Sequence, residues 1–367
     1  MSSPISIRVR VPMNIAFVKY WGKADKTEML PLNDSVSVNL NDLHATTEIT
    51  IIPNSEDSDS VKVNEVDFPC GEGTRFFKVF TEFRRIAGSR IQSPFSIKIS
   101  SRTTFPVKAG LASSAAGFSA LAYGLGKSVN MKDSEIARLA RLGSGSACRS
   151  LLPGFVHWDA SKTSPTDDFV FSLSSNQDFQ SSLLAFVFIF NKKEKVVGSS
   201  EGMSRTVQTS EFLKYRVEKV VPDHVRGIKA AIASGNFGIF AEITMKESNS
   251  LHAVCLDSFP PLWYLNNASF EFMDFVHKIN AEFGEVVAAY TFDAGPNPVV
   301  LIQRKNAEFF VRNLIELENF KFRFVSQESN LSSFDENLKK FINQPDTDQC
   351  EKIEVIITGV GDGPRIC

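Results

Sequence analysis

Four short segments of the chain concentrate side chains suited to phosphate and carboxylate chemistry. The run AGLASSAAG, Ala109 to Gly117, joins small residues, Gly110, Ala112 and Gly117 among them, to two hydroxyls, Ser113 and Ser114, so its backbone could wrap a polyphosphate. It lacks the G-K-[ST] ending of a Walker A loop, so no loop lysine is supplied for terminal phosphates. Tight helix packing would use the same small residues. GSGSACRS, Gly143 to Ser150, sets Ser144, Ser146 and Arg149 beside a predicted helix start, where hydroxyl, amide and guanidinium donors could converge on one anion. An ordinary serine-capped helix with a surface arginine has the same pattern.

NIAFVKYWGK, Asn14 to Lys23, carries Lys19 and Lys23 four apart around Tyr20 and Trp21, followed by the polar LPLNDSVSVNL; a plain surface strand explains either one. YTFDAGPNPVV holds an isolated acid, Asp293, after an apolar strand and just before a Gly-Pro turn, where it is either a functional carboxylate or a turn cap. His44, His157, His224, His252 and His277 show no HExxH or HxxEH spacing and are read as structural or exposed.

Several elements must position these groups. Ile5, Ile7, Val9 and Val11 alternate with polar residues, predicting a half-buried strand that ends at Pro12. A strand over 95–101 leads through the Gly/Ala/Ser run into a helix from Phe118 to about Val129, a strand-to-helix junction where amides lack partners. Asp133 is expected to cap a helix that Gly143 ends, with SGSACRSLL beginning another. The strands FVHWDA and SLLAFVFIF close the first half, so domains of 1–190 and 191–367 are expected. The second half offers helical patterns at 209–233, 234–250, 268–283 and 305–317, with strands around 286–303 and 353–359. Strand and helix mixed without regular βαβ repetition imply α+β layers.

Composition narrows the function classes. A length of 367 residues suits two domains with a cleft between them. With 40 basic against 42 acidic residues, a net charge of −2, the chain lacks the basic excess of a nucleic-acid binder. Five widely spaced cysteines without a CxxC pair suggest neither a disulfide framework nor a zinc site, and hence a reducing compartment. The N-terminal MSSPISIRVRVP lacks the apolar run of a signal peptide, and no apolar stretch of about 18 residues could span a bilayer, so a soluble cytoplasmic protein without membrane contact is expected. The 32 phenylalanines are read as core.

In order and spacing, NIAFVKYWGK, LPLNDSVSVNL, FPVKAGLASSAAG, GSGSACRS, KKEKVVGSSEGMSRTVQTS, MKESNSLHAVCLDSFPP and YTFDAGPNPVV resemble the mevalonate diphosphate decarboxylase family, most closely its eukaryotic branch. That family belongs to the superfamily of galactokinase, homoserine kinase, mevalonate kinase and phosphomevalonate kinase. The resemblance implies the two-domain small-molecule-kinase (GHMP) fold: a ribosomal-protein-like, nucleotide-binding N-terminal domain and a ferredoxin-like C-terminal domain, usually as a homodimer. It also implies ATP with Mg²⁺, and mevalonate 5-diphosphate as substrate.

Residue by residue, the matching motifs imply ATP along Gly110, Ala112, Ser113, Ser114 and Gly117, and substrate phosphates and carboxylate on Tyr20, Lys23, Ser144, Ser146, Arg149 and Ser199. Asn14 would orient Arg149, Lys19 would sit beside the reacting groups, and Asp293 would be the catalytic carboxylate. No side-chain metal cage is implied: Mg²⁺ would ride mainly on the ATP phosphates, with Ser114 a candidate ligand. Two departures stand out, Asp34 where the family's LP-x-N-S-S has its first serine, and Val107 and Lys108 within FPTAAGLASSAAG. Close alternatives are a kinase of the superfamily that stops at phosphorylation and a silent relative that binds nucleotide or sugar without turnover.

Overall fold

The alternation that begins at Ile5 does not stop at Pro12: one strand runs Ile5–Val18. The proline is tolerated because the ladder slips register between Pro12 and Met13, so its missing N–H falls at an irregularity. This strand pairs antiparallel with the 19-residue strand Ser35–Pro53. The computed structural model describes residues 3–91, 94–105, 113–164, 167–190, 196–332, 334–343 and 352–367.

Among the described residues the first sheet has eight strands, with Arg365–Ile366, Ile5–Val18, Ser35–Pro53, Phe95–Thr103, Ser60–Val63 and Val66–Phe68 in spatial order. Phe155–Trp158 pairs with the other end of Ser35–Pro53 and carries Val170–Ser172 on its edge. The helix Ser113–Ser128 packs on this sheet, and closely: a Cβ on Gly124 would lie 2.4 Å from Ile49 Cδ1. Beside it runs Asp133–Gly143, capped not by Asp133 but by Lys132, whose N–H donates to Glu135 at 2.9 Å. SGSACRSLL forms a tighter 3₁₀ helix, Gly145–Leu151.

The second sheet orders Ala288–Phe292, Pro298–Gln303, Leu183–Ile189, Ile353–Gly359 and Phe322–Ser326, all antiparallel except the last pair. Leu183–Ile189, read from the sequence as closing the first half, is thus the middle strand of the second sheet. The chain passes between sheets before 183, ahead of the expected division at 190, and Arg365–Ile366 returns to the first sheet. The reason is burial: every residue of LLAFVFI is buried, which a strand covered on both faces requires.

Much of the phenylalanine lies inside, as expected. Phe17 of the first strand meets Phe240 of the helix Phe237–Asp257 edge-on at 4.7 Å, and Phe155 and Phe179 stack at 5.9 Å beside them. Such pairs add about 0.5–1.5 kcal/mol each beyond their burial. They fasten the helix Phe237–Asp257 to the first sheet. Among the described residues no helix is long and apolar enough to cross a membrane.

Candidate active site

Where the first strand ends, Lys19, Tyr20 and Lys23 enter a cleft of about 680 Å³, with Ser114, Ser144, Ser146, Arg149, Ser199 and Asp293 also on its walls. Residues expected from separate segments therefore share one space. Gly110 and Ala112 lie outside the described residues. Ser113 begins the helix Ser113–Ser128. Above Gly117, on the same helix, a Cβ would meet only open space.

Asp293 follows the last residue of Ala288–Phe292, and its Oδ1 lies 2.7 Å from Lys19 Nζ. The pair is asymmetric: the Lys19 side chain is 2% exposed and that of Asp293 27%. Burial pulls the Lys19 ammonium below its usual pKa, and the Asp293 carboxylate is the largest influence opposing that shift. The carboxylate thus favours the charged form of Lys19 and stands on the open side of the pair.

Arg149 is 4% exposed, so the surface-arginine reading fails. Its Nε and Nη2 donate to Asn14 Oδ1 at 3.2 and 3.0 Å, and its Nη1 to Ser35 Oγ at 2.9 Å. Among the described residues three of the five guanidinium N–H groups are thereby used, leaving two for a ligand in the cleft. Asn14 is fixed in turn by donating to Ser150 Oγ and the Ser146 carbonyl, at 2.8 and 3.1 Å. Beside it, the Tyr20 hydroxyl is buried without a partner among the described residues, and burial raises its pKa, leaving a neutral phenol donor. Gly145 makes room for that ring, since a Cβ there would lie 2.8 Å from Tyr20 Cε1.

The other wall carries cations that the sequence reading missed. Arg75 and Lys78 lie one turn apart on the helix Arg75–Ala87, and Lys26 follows Lys23. Among the described residues none of these four pairs with a carboxylate; Lys23 and Lys26 reach the hydroxyls of Ser200 and Ser204 at 3.3 and 2.9 Å. Burial, then the charges of Arg75, Lys78 and Lys26, lower the pKa of Lys23. A polyanion would relieve that repulsion. The signal for Arg75 was present in the sequence, since Thr74 caps the helix by accepting from Phe77 N–H at 3.1 Å.

Ser114 and Arg75 line a second cavity too, about 280 Å³ and walled by Val61, Val63, Phe68, Phe76, Ile99 and Phe118. Ser114 Oγ is 3.2 Å from Ser144 Oγ, so the serine sits where the apolar slot opens into the cationic cleft. A flat ring bearing a polyphosphate tail has that shape and polarity.

Of the departures, Asp34 is not among the residues lining the cleft: its carboxylate accepts from Ala160 N–H and meets His157 Nε2, each at 2.8 Å. Val107 and Lys108 lie outside the described residues. His252 is buried behind Asp293, and burial lowers its pKa to about 3, the Lys19 charge adding to the effect. It therefore stays neutral in the fold and takes up a proton on unfolding below pH 6.5. Its stabilising effect is complete above that value and is lost as pH falls toward 3. His252→Gln should therefore flatten the fall of stability across this window by about one proton, read from urea melts at several pH values. An unchanged slope would count against a neutral buried imidazole.

Two family models match the chain: the diphosphomevalonate decarboxylase-like N-terminal domain over residues 11–170 and the mevalonate 5-diphosphate decarboxylase C-terminal domain over 185–367. Diphosphomevalonate decarboxylase of Danio rerio is 38% identical, the match covering 97% of this chain and 91% of the relative. That of Saccharomyces cerevisiae is 37% identical over 97% of this chain and 94% of its own. The solved mevalonate diphosphate decarboxylase from Trypanosoma brucei superposes with a TM-score of 0.85 at 28% identity, covering 99% and 98% of the two chains. A structure described as MDDEF in complex with MVAPP, AMPPCP and magnesium does so with a TM-score of 0.81 at 28% identity, over 100% and 99%. The expected two-domain α+β small-molecule-kinase fold is the fold of these neighbours. On sequence and architecture together, the chain belongs to the diphosphomevalonate decarboxylase family.

Proposed function

We propose that the chain converts mevalonate 5-diphosphate and ATP into isopentenyl diphosphate, carbon dioxide, ADP and phosphate, by phosphorylating the 3-hydroxyl before decarboxylation. The observation that carries this reading is a carboxylate, Asp293, paired with buried Lys19 in the same cleft as an Arg149 that keeps two N–H groups free. Phosphoryl transfer needs positioning and charge neutralisation more than covalent help from the protein. Asp293 accepts the proton of the 3-hydroxyl as its oxygen takes the terminal phosphoryl group. Phosphate then leaves with the C–O bonding pair. The bond to the carboxyl carbon breaks, its electrons form the new double bond, and carbon dioxide departs. Arg149 holds the carboxylate in line for that cleavage, and its planar fork suits the task better than a lysine's point charge.

Lys23, Lys26, Arg75 and Lys78 supply the charge that two polyphosphates need, Tyr20, Ser144, Ser146 and Ser199 add hydrogen bonds, and the apolar slot takes the nucleobase. Among the described residues no group of three or more His, Cys, Asp or Glu side chains could hold a metal. The Ser114 hydroxyl at the mouth of a cationic cleft fits an Mg²⁺ that arrives on the nucleotide, where it would neutralise phosphate charge. Ser114→Ala should raise the KM for ATP about tenfold, the worth of one charge-assisted hydrogen bond, with the KM for mevalonate 5-diphosphate little changed. The homodimer and cytoplasmic residence implied by the resemblance are part of this proposal.

The deciding experiment gives the protein Mg-ATP and mevalonate 5-diphosphate labelled at the carboxyl carbon, and measures labelled carbon dioxide, ADP and isopentenyl diphosphate together. Equal yields support the reaction. ADP without carbon dioxide would make the protein a kinase that stops halfway, and no ADP would leave only a binder.

A further inference from the structure

The peptide of Lys19 is gripped on both sides by a buried ion pair that the mechanism above does not use. Lys19 lies just beyond the end of the first strand, after a register slip between Ala16 and Val18, so the sheet no longer fixes its backbone. Its N–H donates to Glu247 Oε2 at 3.0 Å. Its carbonyl accepts from Arg216 Nη2 at 3.2 Å and Asn33 Nδ2 at 3.0 Å. Arg216 Nη2 and Glu247 Oε2 are themselves 2.8 Å apart, with side chains 2% and 0% exposed, and His224 Nδ1 meets the other carboxylate oxygen at 2.8 Å.

The residue after Glu247 on the same helix acts on the other catalytic group. Ser248 Oγ accepts from the N–H of Phe292, the residue before Asp293, at 3.0 Å. Consecutive residues of the helix Phe237–Asp257 therefore hold the backbones on both sides of the 2.7 Å Lys19–Asp293 contact. Arg216 opens a π-helical turn, Arg216–Val220, a widening that recurs at functional sites. A buried ion pair is a costly way to satisfy one N–H and one carbonyl, since apolar groups of the same volume are often as stable or more so. What the pair provides that a neutral partner would not is a fixed direction for the Lys19 peptide.

Building on the reaction proposed above, we infer that Glu247 and Arg216 are positioning residues, which set the Lys19 backbone so that its ammonium meets Asp293 in reactive geometry. Neither is among the residues lining the cleft, so their removal should act on the chemical step rather than on binding. The test uses Arg216→Met/Glu247→Leu, which removes both charges and orphans neither, beside Glu247→Gln, which keeps an acceptor for the Lys19 N–H. Thermal melting, both KM values and the single-turnover rate are measured for each.

In the paired variant the single-turnover rate should fall about 100-fold, the order that an ångström of misplacement costs, with both KM values within about threefold of wild type and melting still cooperative. Glu247→Gln should recover about tenfold of that loss, because the acceptor returns without the charge. A folded paired variant with a wild-type rate overturns the inference, as does a loss confined to KM. If the paired variant does not melt cooperatively, Glu247→Gln decides alone: a slowed step at unchanged KM supports positioning, and an unchanged rate overturns it. The wild type is assayed first, so absence of carbon dioxide release there rejects the underlying reaction, whereas normal release with unimpaired variants rejects only the clamp.

Discussion

Asp293→Asn should lower kcat by about 10³-fold while moving the KM for mevalonate 5-diphosphate only a few-fold, because the amide keeps the shape and loses the proton acceptor. The size of the effect follows from the geometry. Asp293 is the carboxylate 2.7 Å from Lys19 Nζ, on the side of the pair that faces the cleft. The substitution also removes the largest influence holding the buried Lys19 charged, against burial that already lowers its pKa. The ammonium population therefore falls further as pH rises, and residual activity in the variant should decline toward alkaline pH more steeply than in wild type. Steady-state kinetics across pH with coupled ADP detection would measure both effects, and near-normal turnover would remove Asp293 from the chemistry.

Arg149→Ala should damage binding and chemistry together, raising the KM for mevalonate 5-diphosphate about tenfold and lowering kcat about 100-fold, the worth of a bidentate charged contact that strengthens as the carboxylate reacts. The buried side chain spends three N–H groups on Asn14 and Ser35 and turns the rest into the cleft. Arg149→Lys restores charge but not the fork and should recover little of the loss. Asn14→Ala should reproduce the kcat defect in milder form, since it frees the guanidinium without removing it. An unchanged KM in Arg149→Ala, measured beside carbon dioxide release, would contradict this placement.

Local chemistry was legible in the residues wherever a short stretch carried its own signal. Hydrophobic alternation foretold the first strand, and the apolar helical pattern foretold the helix behind the small residues, although that helix begins at Ser113, ahead of the expected Phe118, and takes Ser114 and Gly117 into its first turns. Two expectations missed because a partner distant in sequence had decided. Pro12 continued a strand because the facing strand slipped register there, and LLAFVFI joined the second sheet because both its faces were covered. Arg75 and Lys78 on a capped helix were readable and were overlooked.

By itself the sequence determined which chemical groups the protein owns, the periods that make its strands and helices, and, through the order of its motifs, its family. Only the tertiary structure decided which groups meet. Lys19 and Asp293 are 274 positions apart, and Glu247 reaches the Lys19 amide across 228, distances over which no spacing rule carries information. The direction of Asp34, toward His157 and the Ala160 amide, was settled in the same way. Periodicity and capping depend on neighbours a few residues away, whereas the charge and reach of a catalytic pair depend on burial and on the peptides that hold it, and those exist only once the sheets and the helix between them have packed.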